Sequence, residues 1–168
     1  MKLDDDDFTL LGVPPRFAQD MGQLAQAWRA LQARVHPDRF AADGPAAQRL
    51  ALQWAARVNE AYARLKEPLA RGAYLAALRG APVDAERNTA MPPAFLMQQM
   101  AWREALDEQA DLAALQAEVA LAENTRLAAL ATALDGPAPD AAQAAAEVRA
   151  LLFIKRFKAD IARRLYPE

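Results

Sequence analysis

Large apolar residues recur every three or four positions in two stretches near the start of the chain, and this spacing constrains the fold most. It matches the 3.6-residue turn of an α-helix, so each stretch predicts a helix with one apolar face. The apolar positions are Leu24, Trp28, Leu31 and Val35 in the first stretch and Leu50, Trp54, Val58, Ala61 and Leu65 in the second. No segment alternates polar and apolar residues with period two, and the 168 residues include only 6 glycines. The sequence therefore predicts an all-α protein.

A short polar loop between the two helical stretches contains the only histidine of the chain, in the run His36-Pro37-Asp38. Residues 42–45 include Gly44 and Pro45 and break the chain before the second stretch. The plainest interpretation is a lone loop histidine without a special role. The alternative is a recognition motif, because the proline restricts the backbone and presents the side chains on either side of it in a limited range of geometries.

The tripeptide, Phe40 just after it, and the run Val58-Asn59-Glu60-Ala61-Tyr62 in the second helix together resemble a J domain. J domains stimulate the ATPase of DnaK-type chaperones, and their His-Pro-Asp loop contacts the chaperone with help from basic residues nearby. The chaperone-binding residues implied by the resemblance are His36, Pro37, Asp38, Arg29, Arg34 and Arg39.

Arg29 and Arg34 lie outside the apolar stripe of the first helix, so they are either simply solvated or face an acidic chaperone surface. Val35 stands where J domains commonly have a tyrosine, and this helix is poorer in basic residues than many of them. We therefore expect a weak contribution from the basic face.

The composition excludes several classes of site and partner. The chain has no cysteine, which excludes disulfides, cysteine-bound zinc and cysteine-bound iron–sulfur clusters, and we expect no cofactor and no metal. Residues 1–80 carry 11 basic and 9 acidic side chains and residues 81–168 carry 9 and 13, so neither half is basic enough to predict nucleic-acid binding. No apolar run is long enough for a membrane span, and the acidic start resembles neither a signal nor a transit peptide. We expect a cytoplasmic bacterial protein.

Proline, glycine and aspartate predict where the helices of the N-terminal region begin and end. A short helix precedes Gly12, a long one runs from a cap at Asp20 to about residue 35, and a second long one covers residues 45–66. A fourth, short helix covers residues 69–78 and ends at Gly80. The four aspartates at positions 4–7 are expected to be frayed. Residues 1–80 are thus a predicted J domain, an antiparallel helical hairpin with two short flanking helices.

Residues 81–92 are rich in proline and lack helical periodicity, which predicts a linker. Three helical stretches follow, at residues 93–108, 111–134 and 139–166, with short connections that favour antiparallel neighbours. The sequence therefore predicts a C-terminal three-helix bundle over residues 93–168.

The first helix of this bundle has two different sides on a helical wheel. One side carries Phe95, Trp102 and Leu106, which we expect in the core. The other side carries three large apolar residues and two carboxylates: Leu96, Met97, Met100, Glu104 and Glu108. Either this helix is buried on both sides, or the second side is an exposed protein-binding surface rimmed by acid. In the last helix, Leu152 and Phe153 lie off the apolar stripe, and they either pack on another helix or extend such a surface.

The runs of residues 94–100 and 103–108, together with the order J domain, linker and three-helix bundle, are very similar to the HscB family of co-chaperones in iron–sulfur cluster assembly. The resemblance implies that the bundle binds the scaffold protein IscU and that the J domain addresses the DnaK-type chaperone HscA. The implied scaffold contacts are Leu96, Met97, Met100, Glu104, Glu108 and Phe153. Ala101 departs from the family, which often has a glutamate there. We expect a monomer.

Three functional classes compete for this chain. Intrinsic catalysis is disfavoured because the chain has one histidine, no cysteine and no glycine-rich phosphate loop. A purely structural helical adaptor would have no need of the His-Pro-Asp run. A general J-domain co-chaperone for other clients is the main alternative to the iron–sulfur role, and the single predicted surface on a compact bundle favours one folded client.

Overall fold

The computed structural model describes residues 1–109 and 111–167, and within them the chain forms seven α-helices and no β-strand. The prediction of an all-α fold is confirmed. The chain divides into two compact units, Met1–Arg71 and Gly72–Glu168, with the division inside a helix and earlier than the predicted domain end at residue 80. Among the described residues, no helix combines the length and the apolar character needed to cross a membrane.

The first unit is built on a helical hairpin. Helices α1 (Asp7–Leu11), α2 (Met21–Val35) and α3 (Pro45–Lys66) are followed by α4 (Pro68–Leu78), which begins in this unit. Caps set the helix ends as predicted: the Asp20 side chain accepts a hydrogen bond from the Gln23 amide at the start of α2, and Gly12 ends α1 with a φ of 65°.

Contacts between α2 and α3 explain the run of residues 58–62. The Trp28 ring stacks on Tyr62 with 4.5 Å between ring centroids, and its indole nitrogen donates to the Asn59 side-chain oxygen at 2.9 Å. Val58 and Ala61 are fully buried in the same helix. Because Trp28 meets the end of α3 while Val35 shares a cavity with residues near its start, the two helices are antiparallel.

Asp6 and Asp7, at the start of α1, are held in place, which corrects the expectation of a frayed segment. Asp6 caps α1, and hydrogen bonds from the Thr9 hydroxyl and amide outweigh the effect of partial burial, so the pKa of Asp6 is lowered. Asp7 is fully buried, and its carboxylate lies 2.8 Å from the Arg57 guanidinium and 3.0 Å from that of Arg64. The first residues are thereby fixed to α3.

The second unit contains the C-terminal helices α5 (Pro93–Asp107), α6 (Leu112–Asp135) and α7 (Ala141–Leu165). One apolar core joins the three helices, and its buried members are Phe95, Trp102, Leu106, Leu115, Val119, Ala150, Phe153, Ile154, Phe157 and Ile161. Helix α5 is shorter than the other two. Gly72 of α4 packs directly on Leu130 of α6, so a Cβ atom added to the glycine would approach a leucine methyl group to 2.8 Å. The predicted bundle is present.

The predicted linker before α5 is tied to the second unit. The buried Arg149 side chain of α7 donates to the Ala90 carbonyl at 2.6 Å and to the Val83 carbonyl at 2.7 Å. Two charge-assisted hydrogen bonds donated by one guanidinium fix both ends of this segment. The start of α5 is therefore anchored on α7.

Candidate functional sites

The His-Pro-Asp loop is a short, hydrogen-bonded turn of 3-10 helix, Pro37–Phe40, that follows α2 directly. His36 has the extended backbone expected before a proline, with φ −59° and ψ 128°. Its Nδ1 atom accepts a hydrogen bond from the Asp38 amide at 3.3 Å and lies 3.6 Å from the Asp38 carboxylate. Both contacts to Asp38 are made by Nδ1, so Nε2 is the ring nitrogen left for a partner.

The loop presents its polar groups to solvent. His36 and Asp38 are exposed, with 54% and 91% of their side-chain surface accessible. Arg29 and Arg34 of α2 are exposed as well. Arg39 is exposed, but its guanidinium donates to the Ala33 carbonyl at 3.0 Å, which ties the turn back to the end of α2.

An apolar cavity of about 260 Å³ lies beside the turn. It is lined by Met1, Arg34, Val35, Phe40, Ala47, Leu50, Ala51 and Trp54. The turn is therefore bordered on one side by a recess between α2 and α3 that the sequence analysis did not anticipate.

On α5, the side opposite the core is exposed. Leu96, Met97 and Met100 expose 47%, 77% and 74% of their surface, while Phe95 and Trp102 on the other side expose 0% and 1%. The alternative of a helix buried on both sides is thus excluded for these three residues. We name the exposed set Leu96, Met97, Met100, Glu104 and Glu108 the α5 surface, since both glutamates are exposed too.

Phe153 packs on a neighbouring helix, one of the two alternatives that the sequence left open, and its role as a scaffold contact stays a prediction. It is 8% exposed and packs edge-on against Phe95 and parallel to Phe157, with centroid distances of 5.8 Å and 5.7 Å. The guanidinium of Arg103 lies 5.2 Å from its ring centroid. Phe153 is a core residue that packs against the buried side of α5. Leu152, the other residue off the stripe, is half-buried.

A feature that sequence reasoning missed lies on α6. Leu121 is 68% exposed and lines a cavity of about 210 Å³ together with Gln98 of α5. Its signal in the sequence is a leucine that stands among small and polar residues.

Comparison with known proteins shows the family of the chain. Residues 91–162 match the family described as the HSCB C-terminal oligomerisation domain. The chain is 48% identical over 167 residues to the co-chaperone protein HscB homolog of Burkholderia multivorans, covering 96% of this chain and 94% of that protein. The corresponding protein of Bordetella petrii is 48% identical over 162 residues, covering 94% and 95%.

Solved structures of HscB proteins have a fold similar to that of this chain. Chaperone HscB from Vibrio cholerae superposes with a TM-score of 0.76 at 34% identity, covering 96% of this chain and 98% of that one. Human co-chaperone protein HscB shares the fold, with a TM-score of 0.82 at 24% identity, covering 100% and 86%. On the strength of near-half identity over nearly its full length, the chain belongs to the HscB family of co-chaperones.

Proposed function

We propose that this chain serves iron–sulfur cluster assembly by binding an IscU-type scaffold protein through the α5 surface and delivering it to an HscA-like, DnaK-type chaperone. The His-Pro-Asp loop stimulates the ATPase of that chaperone. The observation that carries the proposal is the exposure of Leu96, Met97 and Met100 side by side on a helix whose opposite side is core.

The exposed side of α5 supports a protein partner on energetic grounds. Transfer of a leucine or methionine side chain from water to a packed interface contributes roughly 1.5–3 kcal/mol, and a few such residues usually dominate binding. The core beneath α5 fixes the positions of these side chains before binding, which lowers the entropy lost on association. Glu104 and Glu108 rim the surface and orient the partner rather than supply most of the affinity.

The loop supports a chaperone partner. Its backbone is held by Pro37, by the capping contact of His36 and by the Arg39 bond to Ala33. The exposed imidazole and carboxylate are thus presented without a large ordering cost. Arg29 and Arg34 add positive charge that favours an acidic chaperone surface.

Delivery follows from having both surfaces on one chain. Once the scaffold is bound, its local concentration beside the chaperone is set by the length of the co-chaperone and no longer by diffusion. This role requires no bound cofactor or metal in the chain, and the cluster itself travels on the scaffold as cargo. The two sites therefore suffice for a co-chaperone that is not an enzyme.

The test is a calorimetric titration of purified IscU into variants of this chain. We expect Leu96→Ala and Met100→Ala each to weaken binding roughly tenfold, which corresponds to about 1.4 kcal/mol. Leu52→Ala is the matched control, because Leu52 is a similarly exposed leucine, 57%, on α3. Unchanged affinity for both α5 variants would refute scaffold binding at this surface.

Two further outcomes are distinguished by simple measurements. A general J-domain co-chaperone would stimulate its chaperone equally with and without the scaffold, whereas we propose that scaffold and co-chaperone act together on the ATPase.

We also propose a monomer, which light scattering would test. A dimer that disappears in Met100→Ala would instead mean that a second copy covers the α5 surface.

A further inference from the structure

Helix α6 presents one large apolar side chain to solvent near α5. Leu121 is 68% exposed, although a leucine of this helix gains stability only when it is buried. The exposed positions on either side of it are small or polar: Ala113, Ala114, Gln116, Ala117, Glu118, Ala120, Asn124, Thr125 and Ala128. Leu121 is therefore a large apolar side chain surrounded by small and polar residues on the exposed side of α6.

A cavity beside Leu121 connects α6 to the α5 surface. Its lining is formed by Gln98 of α5 and by Glu118, Leu121, Ala122, Thr125 and Arg126 of α6. Gln98 directly follows Met97, so the cavity begins at the edge of the α5 surface. On the helical wheel Ala101 falls between Met97 and Gln98, and it is exposed and uncharged. Within one helical turn of Met97, no charged side chain of α5 lies between the two features.

The charged residues at the rim of the cavity are held in place by the core. Glu118 accepts a hydrogen bond from the Trp102 indole at 3.0 Å. The Arg126 guanidinium lies 3.2 Å from the buried Glu147 carboxylate and 5.5 Å from the centroid of the Phe95 ring. The recess is thus preformed, with about 210 Å³ of space, and its polar rim does not have to reorganise to admit an apolar group.

The size of the α5 surface indicates that a partner must also cover a neighbouring helix. A stable interface of ordinary size uses about 20–30 residues on each side, more than the exposed side of one 15-residue helix supplies. On the α7 flank, Phe153 is buried and its ring is covered by Arg103. The α6 flank offers an exposed leucine and an open recess.

We propose that Leu121 and the adjoining cavity extend the scaffold-binding surface from α5 onto α6, where they receive an apolar side chain of the same IscU-type protein. This inference rests on the proposed function and adds a second contact region to it. It predicts that the scaffold covers Gln98 and Leu121 when it covers Met97.

The first test is calorimetric titration of IscU into Leu121→Ala, with Leu52→Ala as control and Leu96→Ala as reference. We expect roughly fivefold to tenfold weaker binding for Leu121→Ala and no change for the control. If Leu96→Ala weakens binding and Leu121→Ala does not, the extension onto α6 is wrong and the proposed function stands. If Leu96→Ala, Met100→Ala and Leu121→Ala all leave binding unchanged, both the extension and scaffold binding at the α5 surface are wrong.

The second test uses the absence of cysteine from the chain. Leu121→Cys introduces a unique thiol, and its alkylation by a maleimide is followed by the mass of this chain with and without IscU. We expect at least a fivefold slower reaction in the complex, and no slowing for Leu52→Cys. An alkylation rate at position 121 that is unchanged by IscU overturns the inference.

Discussion

The His-Pro-Asp loop and the α5 surface are both exposed, but different forces hold them. The loop takes its geometry from a proline, a side-chain cap and a hydrogen bond from Arg39 to the end of α2. The α5 surface takes its geometry from Phe95 and Trp102, which are packed in the core beneath it. We infer that the function of the loop depends on particular chemical groups. Binding at the α5 surface depends instead on the apolar area that a partner buries, so each single substitution should weaken it only in part.

The largest expected effect is at the loop. His36→Gln keeps a polar side chain of similar length but removes the imidazole, so we expect loss of chaperone ATPase stimulation with unchanged scaffold binding and unchanged thermal unfolding. A steady-state ATPase assay with the chaperone measures the effect, and Asp43→Asn, just downstream, is the control. Wild-type stimulation by His36→Gln would show that the loop does not act through a specific group.

The next effect separates the two sides of α5 by stability. Phe153→Ala empties a buried position beside Phe95 and Phe157, and we expect it to lower the free energy of unfolding by roughly 3–5 kcal/mol. Met100→Ala on the exposed side should change it by less than about 0.5 kcal/mol. Urea unfolding followed by circular dichroism measures both values. Equal losses would mean that the α5 surface is covered in solution.

The smallest effect concerns the acidic rim. Glu104→Ala and Glu108→Ala should each slow association with the scaffold roughly threefold at low salt and leave dissociation nearly unchanged, because rim charges act mainly on encounter. The effect should vanish at 1 M salt, where the screening length falls to about 3 Å. Stopped-flow association rates test this, with Glu86→Ala as the control. A rate loss that persists at high salt would indicate direct contacts instead.

Helix ends were predictable because residues with strong local preferences mark them. The span of α3, Pro45–Lys66, agrees with the prediction since Pro45 suits the first turn and the residue before Pro68 avoids the helical region. The core side of α5 was also predictable, whereas exposure of its opposite side was one of two alternatives that the sequence left open. Residues on the flanks of a helix were not predictable.

Phe153 illustrates why. A helical wheel gives the direction of a side chain from its own helix but does not show where the neighbouring helix lies. Phe153 is buried because Phe95 of α5 lies against that flank of α7, at 5.8 Å between ring centroids. Leu121 is the converse case, since no large side chain of the described residues covers it. Both facts depend on the spacing between helices, which no single-helix pattern contains.

The aspartates at the start of the chain make the same point for charge. Asp6 and Asp7 are chemically identical neighbours, yet one caps a helix at the surface and the other is fully buried. The difference comes from Arg57 and Arg64, which reach Asp7 because α3 packs on α1. Long-range pairs of this kind leave no local signature.

The two hydrogen bonds of Arg149 have a consequence for how this protein tolerates change in length. One guanidinium holds the carbonyls of Val83 and Ala90, so the residues between them form a surface loop whose two ends are already fixed. Doubling the length of such a loop costs only about 0.6 kcal/mol of closure entropy. Insertions between positions 84 and 89 should therefore leave α5 and the α5 surface in place, which makes this loop a suitable position for an epitope or a fluorescent label.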